Sequence, residues 1–175
     1  MNHQLMKKTI FILIGIFAMF SCVKQDRDNM IANQESNIDS YISSLGNVRV
    51  QNNSGVNRIV FKEGAGLDSL SVGDSVKFYY TGYVFSRRKG SMFVTNVDSV
   101  AKANNFVCAK APENIKLEGG NVVDGLFYGL QGAKVGEKCE IVFSAKYGYG
   151  NTVVYNIPKM TPLIFEVQIV EIVKN

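Results

Sequence analysis

Few side chains in this sequence of 175 residues have the type and spacing that nucleophilic or metal-dependent catalysis requires. The single histidine, His3, lies in an amino-terminal segment that we expect to be cleaved off, so the remaining chain has none. Its loss excludes Ser-His-Asp and Cys-His catalysis and removes the commonest metal ligand. Cys108 and Cys139, the cysteines besides Cys22, cannot form an ordinary zinc site by themselves. We therefore predict no metal and no other cofactor.

Two other reactive patterns are interpreted as non-catalytic. Ser99 and Lys102 have the S-x-x-K spacing of serine acyl-enzymes, but the sequence has neither an S-D-N nor a K-T-G partner, so we interpret the match as coincidence. Cys108 and Cys139 could pair in an oxidising compartment. A core-facing position in a predicted strand for Cys139 favours two separate thiols.

The amino terminus has the pattern of a lipoprotein export signal. The apolar run Thr9–Phe20 follows two lysines and is shorter than the ~20 residues of a spanning helix. Met19–Cys22 resembles a lipobox, in which the cysteine receives a lipid. We expect residues 1–21 to be a signal peptide. Cys22 then anchors the chain to a membrane of the bacterial envelope, the outer membrane, facing the periplasm or the exterior. An uncleaved anchor with an incidental cysteine is the alternative.

Charge and length limit the classes of partner and the number of domains. Lys7 and Lys8 are the only charged residues in the expected signal, so the mature chain has 17 basic and 15 acidic residues, a net charge of +2. No cluster of basic residues is visible, which indicates no nucleic-acid partner. The mature length is that of one ordinary domain.

Residues 22–57 are predicted to contain a polar tether and one amphipathic helix. Polar residues 23–29 form the expected tether, and the next segment has apolar residues at helical spacing: Met30, Ile31, Ile38, Tyr41, Ile42 and Leu45. We expect a helix of about four turns that ends near Gly46. Packing on the domain is the favoured role, because one short stripe is not a sustained heptad repeat. A dimer or partner helix is the alternative.

Residues 58–175 are predicted to form mostly strands. Apolar residues alternate with polar ones in three segments: Val76–Tyr80, Cys139–Phe143 and Leu163–Ile169. Between the first two, apolar residues from Val123 to Leu130 have helical spacing, and Gly129 allows close approach of a neighbouring element. This pattern predicts an α+β domain with an antiparallel sheet wrapped around one short helix.

Three segments in this order carry a family resemblance. They are Val72-Gly73-Asp74 with Tyr79-Tyr80-Thr81-Gly82; Val122-Val123-Asp124-Gly125-Leu126 with Gly129-Leu130 and Lys134-Val135-Gly136-Glu137; and Tyr147-Gly148-Tyr149-Gly150 with Ile157-Pro158 and Leu163-Ile164-Phe165-Glu166-Val167. Together they resemble the FKBP-type peptidyl-prolyl cis-trans isomerases, over residue 58 to the carboxyl terminus. The resemblance implies an FKBP-like fold, isomerase activity on proline-containing polypeptides and no cofactor.

The resemblance also implies roles for individual residues. A catalytic pocket would contain Tyr80, Phe93, Tyr149, Ile157 and Phe165. Tyr80, Phe93 and Phe165 would form aromatic walls, the Tyr149 hydroxyl would contact the substrate, and Ile157 would cover the proline. The substrate would also meet Val122, Val123, Leu126 and Val94, with the Val123 N–H donating to a carbonyl.

Several positions depart from the family pattern. Val94 occupies the usual position of an aspartate, Leu126 that of a tryptophan, and Glu113 lies near that of an aromatic residue. The segment from Val94 to Gly120 is also longer than usual. Two functions are therefore carried forward. One is a working isomerase that assists folding of exported proteins. The other is a catalytically weak or inactive module that binds peptides or proteins, or serves as an envelope-complex subunit. A purely structural subunit is a third interpretation.

Overall fold

The computed structural model describes residues 3–108 and 111–175, with side chains described from residue 24 onward. The chain divides into two compact units, Met1–Asn33 and Gln34–Asn175. Helix α1 (His3–Ser44) forms most of the first unit and continues into the second. The described part of the chain contains no helix that is both long and apolar enough to cross a membrane.

One antiparallel sheet of seven strands dominates the second unit. Its strands are β1 (Arg49–Asn53), β2 (Val56–Lys62), β3 (Ser75–Phe85), β4 (Lys89–Thr95), β5 (Glu113–Lys116), β6 (Lys138–Phe143) and β7 (Leu163–Val173). The order is β1-β2-β6-β7-β3-β4, and β5 also pairs with β3. The remaining elements are helices α2 (Asp98–Ala103) and α3 (Asp124–Leu130) and a 3-10 helix at Ala145–Tyr147. This architecture confirms the predicted fold class.

Strands β4 and β5 pair with different parts of the same edge of β3. Thr95 at the end of β4 faces Thr81, whereas Glu113 at the start of β5 faces Phe78. The buried side chain of Asn96 fills the interval, because its Oδ1 accepts from the Tyr80 N–H at 2.7 Å and its Nδ2 donates to the Phe78 carbonyl at 3.2 Å. A side-chain amide thus replaces the strand partner that β3 lacks here.

The inner face of the sheet packs on α3. The buried residues alternate as predicted along the central strands, with Phe78, Ile141, Phe143 and Phe165 all in the main core. Two glycines let α3 approach: a Cβ atom at Gly125 would overlap the Phe143 ring, and one at Gly129 would overlap Ile141. The close approach expected at Gly129 is therefore confirmed.

Part of the outer face is covered by the end of α1, residues 34–44. Ile38 is 1% exposed and belongs to a second core cluster with Ile59, Phe85, Val142 and Ile164. The Tyr41 ring meets Phe85 edge-on at 5.5 Å, and its hydroxyl donates to Glu140 at 2.7 Å. For these residues, the predicted packing of the helix on the domain is confirmed.

Three features differ from the expectations. Residues 23–29, expected to be a tether, continue α1, where Gln25 donates to Asn29 across one turn at 3.1 Å. The sheet begins with β1, ahead of residue 58, in a hairpin whose turn residues Ser54 and Gly55 have φ of 57° and 92°. Helix α2 lies in the long segment between β4 and β5, and its Lys102 pairs with Asp98 at 2.6 Å.

Cys108 and Cys139 are free thiols, as expected, and Cys139 is buried in the core. Desolvation by burial is the main reason that the pKa of the Cys139 thiol lies above its ordinary range, and the Glu137 carboxylate adds to the shift. Cys22 lies within the range of α1, but its side chain is outside the described residues. Its lipidation stays a prediction.

Candidate functional site

A cavity of about 300 Å³ opens between the amino end of α3, strands β3, β4 and β7, and the segment after β6. All nine residues that the resemblance assigned to a pocket line it: Tyr80, Phe93, Val94, Val122, Val123, Leu126, Tyr149, Ile157 and Phe165. The structure thus brings together segments that are far apart in sequence. The individual roles assigned to these residues stay predictions.

Phe165 on β7 is the centre of the aromatic wall. It is 2% exposed, lies 5.6 Å from Phe93 in an edge-on arrangement, and lies 6.2 Å from Tyr80. On its inner side it stacks on Phe143 at 5.9 Å. The contacts of Phe165 with Phe93 and Phe143 are of the edge and stacked types that aromatic rings prefer, so they stabilise the wall, and the Tyr80 ring lies tilted beside them.

An irregularity in β4 explains how Phe93 and Val94 both reach the cavity. Val94 pairs with Gly82 and Met92 pairs with Tyr83, so the register shifts at Phe93. Such a bulge redirects side chains that would otherwise point to opposite faces of the sheet. Gly82 is also required, because a Cβ there would come within 2.7–2.8 Å of Phe165, Phe93 and Val94.

The amino end of α3 forms one rim of the cavity. The Val123 carbonyl accepts from the N–H groups of Leu126 at 2.9 Å and Phe127 at 3.1 Å, which begins the helix. Among the described residues, the Val123 N–H has no protein acceptor, so it is available to a ligand carbonyl. Leu126, 5% exposed, closes the cavity floor.

The segment after β6 supplies Tyr149 and Ile157. Residues 154 and 157 pair through both backbone hydrogen bonds, at 3.2 and 2.9 Å, around a turn in which Tyr155 has a φ of 51° and is 98% exposed. The Tyr147 hydroxyl is occupied by the Ser54 carbonyl. No hydrogen bond from Tyr149 to a protein group is found in the described chain, so its hydroxyl can meet a ligand.

The hydroxyls of Tyr80 and Tyr149, the two half-buried tyrosines of the cavity, are protonated donors at neutral pH. Burial is the main reason that the pKa of Tyr80 lies above its ordinary value, and the Glu113 charge adds to it. Burial likewise raises the pKa of Tyr149, with a smaller contribution from Tyr155. Both groups therefore stay neutral in an apolar site.

Five further residues line the cavity without having been assigned to it: Phe78, Glu113, Ile115, Asn121 and Tyr155. Glu113 is the sole charged side chain in the lining that the structure describes. The sequence already placed Glu113 near the position at which the resembled family usually has an aromatic residue. Nothing in the sequence pattern indicated Tyr155, because its place depends on the turn closed by Val154 and Ile157.

A larger groove, about 680 Å³, lies on the outer face of the sheet near α2. Two of its acidic residues, Glu140 and Glu166, are already bound to the Lys89 ammonium at 2.7 and 2.6 Å. The smaller cavity gathers apolar walls and unoccupied donors, and we take it as the candidate active site.

Residues 68–170 match the model of a family described as FKBP-type peptidyl-prolyl cis-trans isomerase. FK506-binding protein 1 of Aspergillus oryzae is 28% identical over 122 residues, which cover 67% of this chain and 98% of that protein. Human peptidyl-prolyl cis-trans isomerase FKBP4 is 29% identical over 120 residues, and the match covers 67% of this chain but 23% of that longer protein. The crystal structure of FkpA from Escherichia coli is similar in fold, with a TM-score of 0.59 at 20% identity, covering 99% of this chain and 74% of that one.

Proposed function

Because the chain belongs to the FKBP-type peptidyl-prolyl cis-trans isomerase family, we propose that it isomerises X-Pro bonds and assists the folding of exported proteins in the bacterial envelope. Its partners are proline-containing polypeptides. The observation that carries the proposal is the meeting of apolar walls with unoccupied donors, the Tyr149 hydroxyl and the Val123 N–H, in one cavity.

The proposed mechanism needs no covalent bond to the substrate. Rotation about X-Pro is slow because amide resonance creates a barrier of ~18–20 kcal/mol. The prolyl ring enters between Tyr80, Phe165 and Ile157, where an apolar environment weakens the charge-separated planar amide relative to the twisted one. Tyr149 and Val123 donate to substrate carbonyls and hold the peptide while the bond turns.

The isomerase is tested with the full chain, purified in mild detergent, on a proline-containing tetrapeptide and on a protein whose refolding is limited by proline isomerisation. We expect acceleration of both reactions. Tyr149→Phe removes one donor and keeps the ring, so kcat/KM should fall about five- to tenfold, as expected for a bond worth ~1–1.4 kcal/mol. Tyr147→Phe is the matched control, because its hydroxyl contacts the Ser54 carbonyl outside the cavity. No acceleration by the wild-type chain would refute the activity.

A second function, peptide binding with little or no catalysis, is favoured by Val94. This residue lines the cavity at the position where the family usually has an acid, so a polar group near the twisting amide is missing. Binding of a fluorescent proline peptide without acceleration of its isomerisation would support this function. Val94→Asp should then raise the rate. A variant that binds equally well and remains inactive would count against our emphasis on this position.

We also propose that a lipid on Cys22 holds the domain at a membrane. The supporting pattern is the apolar run with Met19–Cys22, and a lipid there would place the pocket where exported chains emerge. Cells expressing the chain should incorporate labelled palmitate into it. Cys22→Ser should abolish the label, whereas Cys108→Ser, which changes another free cysteine, should keep it. Equal labelling of the Cys22→Ser variant would exclude this anchor.

A further inference from the structure

Gln34, near the end of α1, is linked to both ends of the segment that carries Tyr149 and Ile157. Its side chain is 8% exposed. Its Nε2 donates to the Met160 carbonyl at 2.7 Å, and its Oε1 accepts from the Ala145 N–H at 2.9 Å. One buried amide thus fixes the separation of two backbone groups that lie more than 100 residues after it in the chain.

Ala145 and Met160 also form the base of residues 145–160, the pocket segment, through their other backbone groups. The Gly150 N–H donates to the Ala145 carbonyl at 3.2 Å, and the Met160 N–H donates to the Gly150 carbonyl at 2.7 Å. Met160 has a φ of 54°, in the left-handed region that a non-glycine residue adopts only when its surroundings hold it there. Gln34 helps to stabilise this backbone conformation, because its side chain donates to the carbonyl of Met160.

A weaker neighbouring contact supports the same connection. The Ser144 hydroxyl, in a residue 1% exposed, donates to Glu35 Oε1 at 3.4 Å. Another polar link from this part of α1 runs elsewhere, since the Tyr41 hydroxyl donates to Glu140 on β6. Gln34 is therefore the main link between α1 and the base of the segment.

We propose that Gln34 is a positioning residue for the pocket: through Ala145 and Met160 it sets where the Tyr149 hydroxyl and the Ile157 side chain lie. Its kinetic consequence rests on the proposed isomerase function. The amide bonds to the base of the segment, not to substrate-facing groups, so it acts on the placement of Tyr149. A misplacement of 1 Å can cost about 100-fold in rate, and loosening one of several restraints should cost about tenfold in kcat/KM.

The test compares Gln34→Met, which keeps the apolar body and removes both polar atoms, with Tyr41→Phe. Both variants break a polar link between α1 and the domain, but only the first touches the pocket segment. Hydrogen exchange of residues 145–160 is measured by mass spectrometry in the full chain, beside global stability and tetrapeptide kinetics. If Gln34→Met does not fold, Gln34→Asn, one methylene shorter, replaces it.

We expect faster exchange in residues 145–160 and about a tenfold lower kcat for the Gln34 variant, with little change in KM because the aromatic walls are untouched. Tyr41→Phe should leave both readings near those of the wild type. Unchanged exchange in the Gln34 variant, or equal effects of the two variants, would overturn the inference. An inactive wild-type chain would refute the proposed function alone, since the exchange comparison still decides whether Gln34 fixes the segment.

Discussion

Gly125→Ala tests whether the close packing of α3 on the sheet positions the pocket wall. A methyl group at this site would overlap three atoms of the Phe143 ring, well inside van der Waals distance. Phe143 is fully buried and stacks on Phe165, so its ring has little room to withdraw. Alanine favours the helix by at most ~1 kcal/mol, whereas overpacking costs ~1–3 kcal/mol. With a rigid neighbour we expect the upper half of that range, and a net loss of about 1–2 kcal/mol.

The loss is measured by urea and thermal unfolding, where it corresponds to a fall in Tm of roughly 2–8 °C for a chain of this size. Gly119→Ala is the matched control, because a Cβ there meets no atom within 4 Å. That variant should be neutral or gain roughly 0.4–1 kcal/mol through the unfolded state. Because Phe143 supports Phe165, Gly125→Ala should also reduce isomerase activity. Unchanged stability of Gly125→Ala would refute the described fit of α3 against β6.

Three further predictions concern charges. Glu113, exposed at the cavity rim, should favour tetrapeptides with lysine before proline over those with glutamate by up to about fivefold in kcat/KM, because a surface ion pair contributes ~0.2–1 kcal/mol. The preference should vanish in Glu113→Gln and in 1 M salt, and a preference that persists there would exclude Glu113 as its cause. Arg58→Met should destabilise the domain by about 3 kcal/mol in urea unfolding, the lower end of the range for a broken buried ion pair. The variant removes the Arg58 contact to buried Glu137 at 3.2 Å and the donors to the carbonyls at the end of α3, and it leaves Glu137 only the longer Arg49 contact at 3.7 Å. A loss no larger than that of the exposed control Arg87→Met would contradict this. The hydrogen bond from Lys174 is the main reason that the pKa of Asp74 lies below its ordinary value. The ionised Asp74 carboxylate therefore stabilises the fold above pH ~4, and this stabilisation is lost as the pH falls through the lowered folded-state pKa. The difference in Tm between the wild type and Asp74→Asn should disappear in acid, and a constant difference would argue against this linkage.

Sequence reasoning predicted the parts of the fold that local patterns control. Alternation placed Phe78, Ile141 and Phe165 on the inner face, and helical spacing placed Leu126 and Leu130 against them. Together with the family resemblance, these patterns gathered nine of the fourteen residues that line the cavity.

The features that escaped prediction depend on contacts between distant segments. Strand β1 is mostly exposed and has no alternation, so its sequence resembles a polar connection. The bulge at Phe93 places neighbouring residues on one side, against the period of two. The polar bonds of Gln34 join residues over 100 positions apart, and no periodicity encodes such a pair.

The way in which Asn96 completes the edge of β3 lets the neighbouring connection be lengthened without disturbing the sheet. The chain leaves the sheet opposite Thr81 and returns opposite Phe78, three residues away along one strand, or roughly 10 Å. Lengthening a loop whose ends are already close costs little entropy, about 0.6 kcal/mol for each doubling. The connection between Asn96 and Glu113 is therefore a natural insertion point, where a grafted reporter or recognition module would sit beside the cavity while the sheet retains its register.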